Sequence, residues 1–349
     1  MHMADALLSP AVGGAMWCAS ATTIAYCSGK LRREMDNRRI PLMGVLGAFI
    51  FAAQMINFTI PVTGSSGHLG GGLLLAILLG PYAAFLTIAS VLVVQAFFFA
   101  DGGLLALGCN IVNLGFFPAF IAYPLVYKAI AGCSPSRARI AVASMAAAVA
   151  GLQLGSFGVV VETVSSGISS LPFSAFAAIM QPIHLAIGAV EGVVTASVIS
   201  FVYTAKPEIM PGVVAARPAG VMRAVVPVFL FMAVVTGGFV SWYASTNPDG
   251  LEWAIARVTG QEKLKGGAHR VHGTLAALQE QIAFLPEYSF KKTVVKSAPV
   301  PENSTQKNNE RKTERSKLEI SVSGIVGGAL SLGLSLLIGY LFKRRHHPA

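Results

Sequence analysis

Eight stretches of this chain are apolar for long enough to cross a bilayer, near 11–29, 41–60, 82–100, 105–127, 138–165, 174–203, 222–243 and 321–342. A helix needs about 20 such residues to traverse ~30 Å of hydrocarbon, so runs of this length read as membrane helices. The predicted class is all-α: a polytopic membrane protein with a helical bundle of six to seven spans and a C-terminal hairpin of two more. The remaining candidate is the shorter run GGLLLAILL between Gly70 and Leu79, closed by Gly80 and Pro81, which reads as a thin or broken helix. Broken helices at membrane depth commonly line a site.

Composition agrees, since 54% hydrophobic and 12% charged residues with a mean hydropathy of +0.64 lie far from soluble averages. A formal charge of +10 raises nucleic acid as a partner. The basic residues sit instead in short clusters between apolar runs, the pattern that orients helices in a membrane, so the partner is the lipid bilayer and no nucleic acid is expected. The clusters are Lys30, Arg32, Arg33, Arg38 and Arg39; Lys128, Arg137 and Arg139; Lys206, Arg217 and Arg223; and Lys343, Arg344 and Arg345. With all of them inside, the topology closes only if the short run crosses. Met1, His2 and the segment around His68 then lie together outside.

The opening MHMADALLSP has no basic region and no small-residue cleavage pattern, so it does not read as a removable signal, and bulky His2 favours retention of Met1. Cys18, Cys27, Cys109 and Cys133 fall in or beside apolar runs without CxxC spacing and read as small hydrophobes. The chain divides after residue 205, where KPEIMPGVVAARPAG has the composition of a linker. The expected units are 1–205, a linker at 206–222, and 223–349, whose two helices flank an external polar loop at 244–320. The later part of that loop, with KNNERKTERSK, has a disordered composition.

A histidine directly after the first residue offers one metal ion three nitrogens: the Met1 amine, the His2 amide and the His2 Nδ1. The chelate rings are five- and six-membered, the ion lies in their plane, and one corner stays open. Planar nitrogen ligation favours Ni(II) or Cu(II), although most second-position histidines are inert. His68, within GSSGHLGGG, is the candidate fourth ligand, because the glycines allow close backbone approach. An ordinary turn with an inert histidine is the competing reading. Gln54, Asn57, Gln95, Asp101, Asn110 and Asn113 interrupt apolar runs at the same outer level, and intramembrane polar groups tend to face the bundle interior. Neither H-E-x-x-H nor G-x-S-x-G occurs, which leaves an intramembrane metalloenzyme or protease a remote alternative. A channel fits poorly, because conduction requires weak sites.

The segments MHMADALLS, AAQMINFTIPVTGSSGHLGGGLLLAILLGP, VQAFFFADGGLLALGCNIVNLG and HLAIGAVEG at 184–192 resemble the CbiM/NikM substrate-binding components of energy-coupling factor transporters for cobalt and nickel. The resemblance covers roughly residues 1–205, with departures at Ala4 and Ala6. The remainder is similar to the accessory component CbiN/NikN, fused in line, through PDGLEWA at 248–254. The resemblance implies a metal held by Met1, His2 and His68. It leaves Asn57, Gln95, Asp101, Asn110 and Asn113 to orient the ligands, as outer partners do. His184 and Glu191, seven apart on one helix face, could form a second polar pair, but a satisfied interhelical bond is the preferred reading and both stay outside the site. The chain has no phosphate loop, so it is expected to bind no ATP. The implied partners are a coupling protein of the NikQ/CbiQ type and ATP-binding subunits of the NikO/CbiO type. The implied cargo is Ni(II), with Co(II) for cobalamin biosynthesis as the alternative. The implied location is the bacterial cytoplasmic (inner) membrane, with the N-terminus outside.

Overall fold

The computed structural model describes residues 2–34, 39–132, 136–169, 171–205, 219–261, 270–291 and 316–342. Met1, Cys133, most of the linker, the charged run before Ser316 and the last basic cluster lie outside the described residues. Almost everything described is helical. The order is α1 (Pro10–Glu34), α2 (Ile40–Gln54), a hairpin of β1 (Phe58–Ile60) and β2 (Ser65–Gly67), α3 (Gly72–Leu79), α4 (Pro81–Phe99) and α5 (Leu107–Ala131). There follow α6 (Arg137–Ser166), α7 (Phe173–Ala205), α8 (Ala219–Gly238), α9 (Gly250–Thr259), α10 (Arg270–Ile282) and α11 (Lys317–Leu341). Among the described residues, six segments have the length and hydropathy of a membrane span: α4, α5, α6, α7, Val225–Tyr243 at the end of α8, and α11. The chain is a multi-pass membrane protein.

Local chemistry sets the boundaries. Ser9 accepts the Val12 N–H and Pro10 opens α1, the pairing that suits a helix start. Gly80, at φ 83°, and Pro81 break α3 from α4, because a proline N1 cannot continue the preceding ladder. Val112–Tyr127 within α5 winds as a π-helix around Pro118 and Pro124. Each proline lacks an N–H and crowds the carbonyl four residues back, and the wider turn relieves both.

The span expected at 41–60 is shorter than its apolar length. Helix α2 ends at Gln54, and Phe58–Ile60 pairs antiparallel with Ser65–Gly67 in the register Phe58↔Gly67 and Ile60↔Ser65. Its 15 residues rise about 22 Å, too little to cross the hydrocarbon unaided. Every residue from Leu42 to Gln54 is buried, as is all of α3. A helix apolar all round belongs inside a bundle. Arg39, from the first basic cluster, donates to the Leu79 carbonyl at the end of α3, so the short run reaches the level where α2 begins.

Helix α11 supplies much of the cover for α2. A Cβ on Gly327 would lie 1.9 Å from the Phe51 ring, and one on Gly324 would lie 2.2 Å from the Gly237 carbonyl of α8. Ser335 bonds Ser90 of α4 at 2.7 Å. Small residues let helices approach this closely, and dispersion between them replaces the hydrophobic effect inside a membrane. The prediction is specific. Gly324→Leu forces α11 off α8 and lowers thermal stability in detergent by about 1–3 kcal/mol. Gly333→Leu, where nothing lies within 4 Å, changes it by less than about 0.5 kcal/mol.

Candidate metal centre

The segment after His2 is threaded into the mouth of the bundle and bonded on both sides. Met3 is fully buried; its N–H donates to Asn110 Oδ1 at 2.8 Å, and its carbonyl accepts the Gly103 N–H at 2.9 Å. Asn110 Nδ2 adds a longer bond to the same carbonyl at 3.4 Å. Asp5 Oδ1 accepts the Ala106 N–H at 3.0 Å, and a Cβ on Gly103 would fall 1.8 Å from that oxygen, so only glycine fits beneath it. The chain then makes a 3-10 turn over Asp5–Leu7, the path it takes past Ala4 and Ala6.

The glycine-rich segment arrives from the other side. Ser65–Gly67 forms β2, and His68 follows it into the interior at 7% exposure. The His2 and His68 rings stack with centroids 4.9 Å apart and an interplanar angle of 12°. His68 Nδ1–H donates to the Leu69 carbonyl at 3.1 Å, which commits that nitrogen. His2 Nδ1 lies 3.3 Å from Asp101 Oδ1. Burial holds the His2 imidazole below the usual histidine range, against the pull of Asp101, and holds His68 well below it. Neutral rings keep their lone pairs for a metal at neutral pH.

The other polar residues singled out in the sequence take distinct places. Gln95 adjoins the His2 ring and donates through Nε2 to Gln54 Oε1 at 2.9 Å. Gln54 in turn donates to the Gly70 carbonyl at 2.8 Å. Asn113 donates to Glu162 at 2.8 Å and reaches the Met3 sulfur at 3.9 Å. Asn57 contributes its carbonyl, which accepts the Ser245 N–H at 2.6 Å. His184 and Glu191 do not pair. His184 bonds the Met180 carbonyl on its own helix, while Glu191 accepts the N–H groups of Gly70 and Gly71. Cys27 and Cys109 are buried free thiols, and Cys18 is exposed.

The described part of the loop at 244–320 covers this mouth, which sequence reasoning did not anticipate. Ser66 N–H donates to the Pro248 carbonyl at 2.8 Å, and Trp253 Nε1 donates to the Thr63 carbonyl at 3.0 Å. Asp249 caps α9 through the Leu251 and Glu252 N–H groups and lies within electrostatic reach of His68. From α10, His272 donates to the Leu8 carbonyl at 2.9 Å, and Gln279 donates to the Ala96 and Gly102 carbonyls at 2.8 Å each. Tyr288 donates to Asp101. The sequence signal for this cover is the apolar spacing of α9, with Leu251, Ala254 and Ile255 buried.

Comparison with known proteins gives the same family from several directions. The family model described as the cobalt uptake substrate-specific transmembrane region matches residues 2–209, and that of the PDGLE domain matches residues 223–344. A protein of Archaeoglobus fulgidus carrying the name fused nickel transport protein NikMN is 36% identical over 242 residues, 68% of this chain and 79% of that one. The cobalt transport protein CbiM of Sorangium cellulosum is 34% identical over 126 residues, 35% of this chain and 56% of its own. The crystal structure of a truncated transition metal transporter superposes with a TM-score of 0.52 at 27% identity, covering 58% of this chain and 99% of that chain. The chain belongs to the CbiM family of cobalt uptake substrate-specific transmembrane regions, with a PDGLE domain behind it, and is a metal transporter component.

Proposed function

We propose that the chain is the substrate-binding subunit of an ATP-driven importer of Ni(II), held by the Met1 amine, the His2 amide and Nδ1, and His68. The observation that carries this reading is the meeting of two buried, neutral imidazoles from distant segments, stacked at 4.9 Å. One of them belongs to the second residue, whose own amide is the natural third donor. In the chelate, His2 Nδ1 exchanges the Asp101 carboxylate for the ion. Asn110 and Gly103 anchor the next peptide, so the amide is presented rather than searched for. Gln95 and Asp101 adjoin the His2 ring, Asn113 reaches the Met3 sulfur, and Asn57 ties the hairpin to the cover.

Nickel is preferred because planar nitrogen ligation with a deprotonated amide suits low-spin Ni(II). Co(II) is the second reading, favoured by the cobalt uptake description of the matched family. ATP hydrolysis is assigned to separate subunits of the NikO/CbiO type through a coupling protein of the NikQ/CbiQ type. The site faces outward and the basic helix ends face the cytoplasm of a bacterial inner membrane. The unit at 1–205 binds the ion, 206–222 links, and the PDGLE-bearing unit at 223–349 closes over the bound N-terminus.

Titrating the purified full-length protein with Ni(II) and Co(II) while recording visible spectra tests the site. A yellow, low-spin planar nickel band with tighter nickel than cobalt binding is expected, and an octahedral spectrum would exclude the planar site. Extending the chain by one residue before Met1 converts its amine to an amide and should abolish nickel accumulation in cells. Normal uptake by an extended chain that is not processed back to Met1 would remove the amine from the ligand set. Asn110→Ala frees the Met3 peptide and is expected to weaken nickel binding about 10–100-fold without unfolding the bundle. Calorimetric titration reads that loss directly.

A further inference from the structure

The turn that follows His68 is held by a group the proposed chelate does not use. Glu191, on α7, is 3% exposed and presents both carboxyl oxygens to consecutive glycines. Oε2 accepts the Gly70 N–H at 2.7 Å, and Oε1 accepts the Gly71 N–H at 3.1 Å. From the opposite side, Gln54 of α2 donates to the Gly70 carbonyl at 2.8 Å. The two backbone polar groups of Gly70, its N–H and its carbonyl, are therefore fixed by side chains from two different helices.

The turn has no slack. Gly71 sits at φ 77°, and a Cβ there would lie 2.7 Å from Ile50. A Cβ on Gly72 would lie 2.3 Å from the Leu114 carbonyl, and one on Gly70 would lie 3.1 Å from the Glu191 carboxyl itself. Consecutive backbone N–H groups in such a turn make a concavity that binds acceptor oxygens, and here the protein supplies both from one carboxyl group. A carboxyl inside a membrane bundle is costly, and intramembrane ionisable groups are functional candidates for that reason. Fastening α7 to the bundle does not require one, because apolar contacts along the helix already do so.

We infer that Glu191 is a positioning residue for the metal site. By clamping the Gly70–Gly71 turn it sets the place and tilt of the His68 ring, without touching the ion. Gln54 and Gln95 continue the same polar chain toward His2, so both rings are aligned against one connected frame. This rests on the reading of His68 as a ligand.

The test compares the purified full-length chain with Glu191→Gln, Glu191→Ala and His68→Ala, each titrated with Ni(II) alone. Glu191→Gln keeps the volume and one acceptor but turns an NH2 toward the second glycine N–H. It therefore decides the matter even if Glu191→Ala does not fold. The expected result is a loss of nickel affinity of about 10–100-fold, larger for Ala than for Gln. At saturating nickel the ligand-field band moves from its wild-type position, and the apo melting temperature of Glu191→Gln stays near wild type. A purely structural role would not move that band. Wild-type affinity in Glu191→Gln, or weaker binding with an unmoved band, overturns the inference while a weakened His68→Ala leaves the ligand reading intact. Wild-type affinity in His68→Ala overturns both.

Discussion

The peptide of Met3 is bonded at both ends inside an apolar bundle, and much of the site follows from that one attachment. Asn110 takes its N–H, while Gly103 and Asn110 donate to its carbonyl. A buried peptide left unbonded would cost about 1–3 kcal/mol for each polar group, so an N-terminal segment can sit at this depth only where such partners exist. Once Met3 is fixed, the His2 ring has little freedom, and its approach to His68 and Asp101 is a matter of geometry. The adjacent glycines are required by the same attachment, since a side chain on Gly103 would occupy the place of the Asp5 carboxyl.

Length and hydropathy made the long helices legible in the sequence, because crossing a bilayer imposes a minimum on both. They were less informative where a helix is hidden by other helices. Helix α2 is as apolar as a span but stops at Gln54, since Phe58–Ile60 is drawn into a hairpin whose partner strand leads to His68. The π-helical course of α5 was not anticipated. Pro118 and Pro124 were visible, yet whether a proline kinks, breaks or widens a helix depends on what packs around it.

At the site, legibility tracked the kind of bond. The proposed chelation by the first residues depends on covalent connectivity, which a sequence states outright, and the glycines around His68 announce a close approach. The clamp on Gly70 is different. Gln54 stands out as a polar residue in an apolar run and Glu191 only beside His184, and their target is a backbone, which leaves no side-chain signature. The cover formed by α9 and α10 escaped notice for the same reason, its donors meeting mostly main-chain carbonyls.

That choice of acceptor has an evolutionary side. Trp253, His272 and Gln279 donate to the carbonyls of Thr63, Leu8, Ala96 and Gly102, and a carbonyl is the same whatever side chain stands beside it. Substitutions at Leu8, Thr63 and Ala96 leave the contact chemically unchanged, provided the backbone keeps its course, while Gly102, at φ 82°, is held to glycine. Those at the donating positions abolish it. The burden of preserving the match therefore falls on one party, and the accepting side chains at Leu8, Thr63 and Ala96 are free to drift in identity without their cover having to change in step.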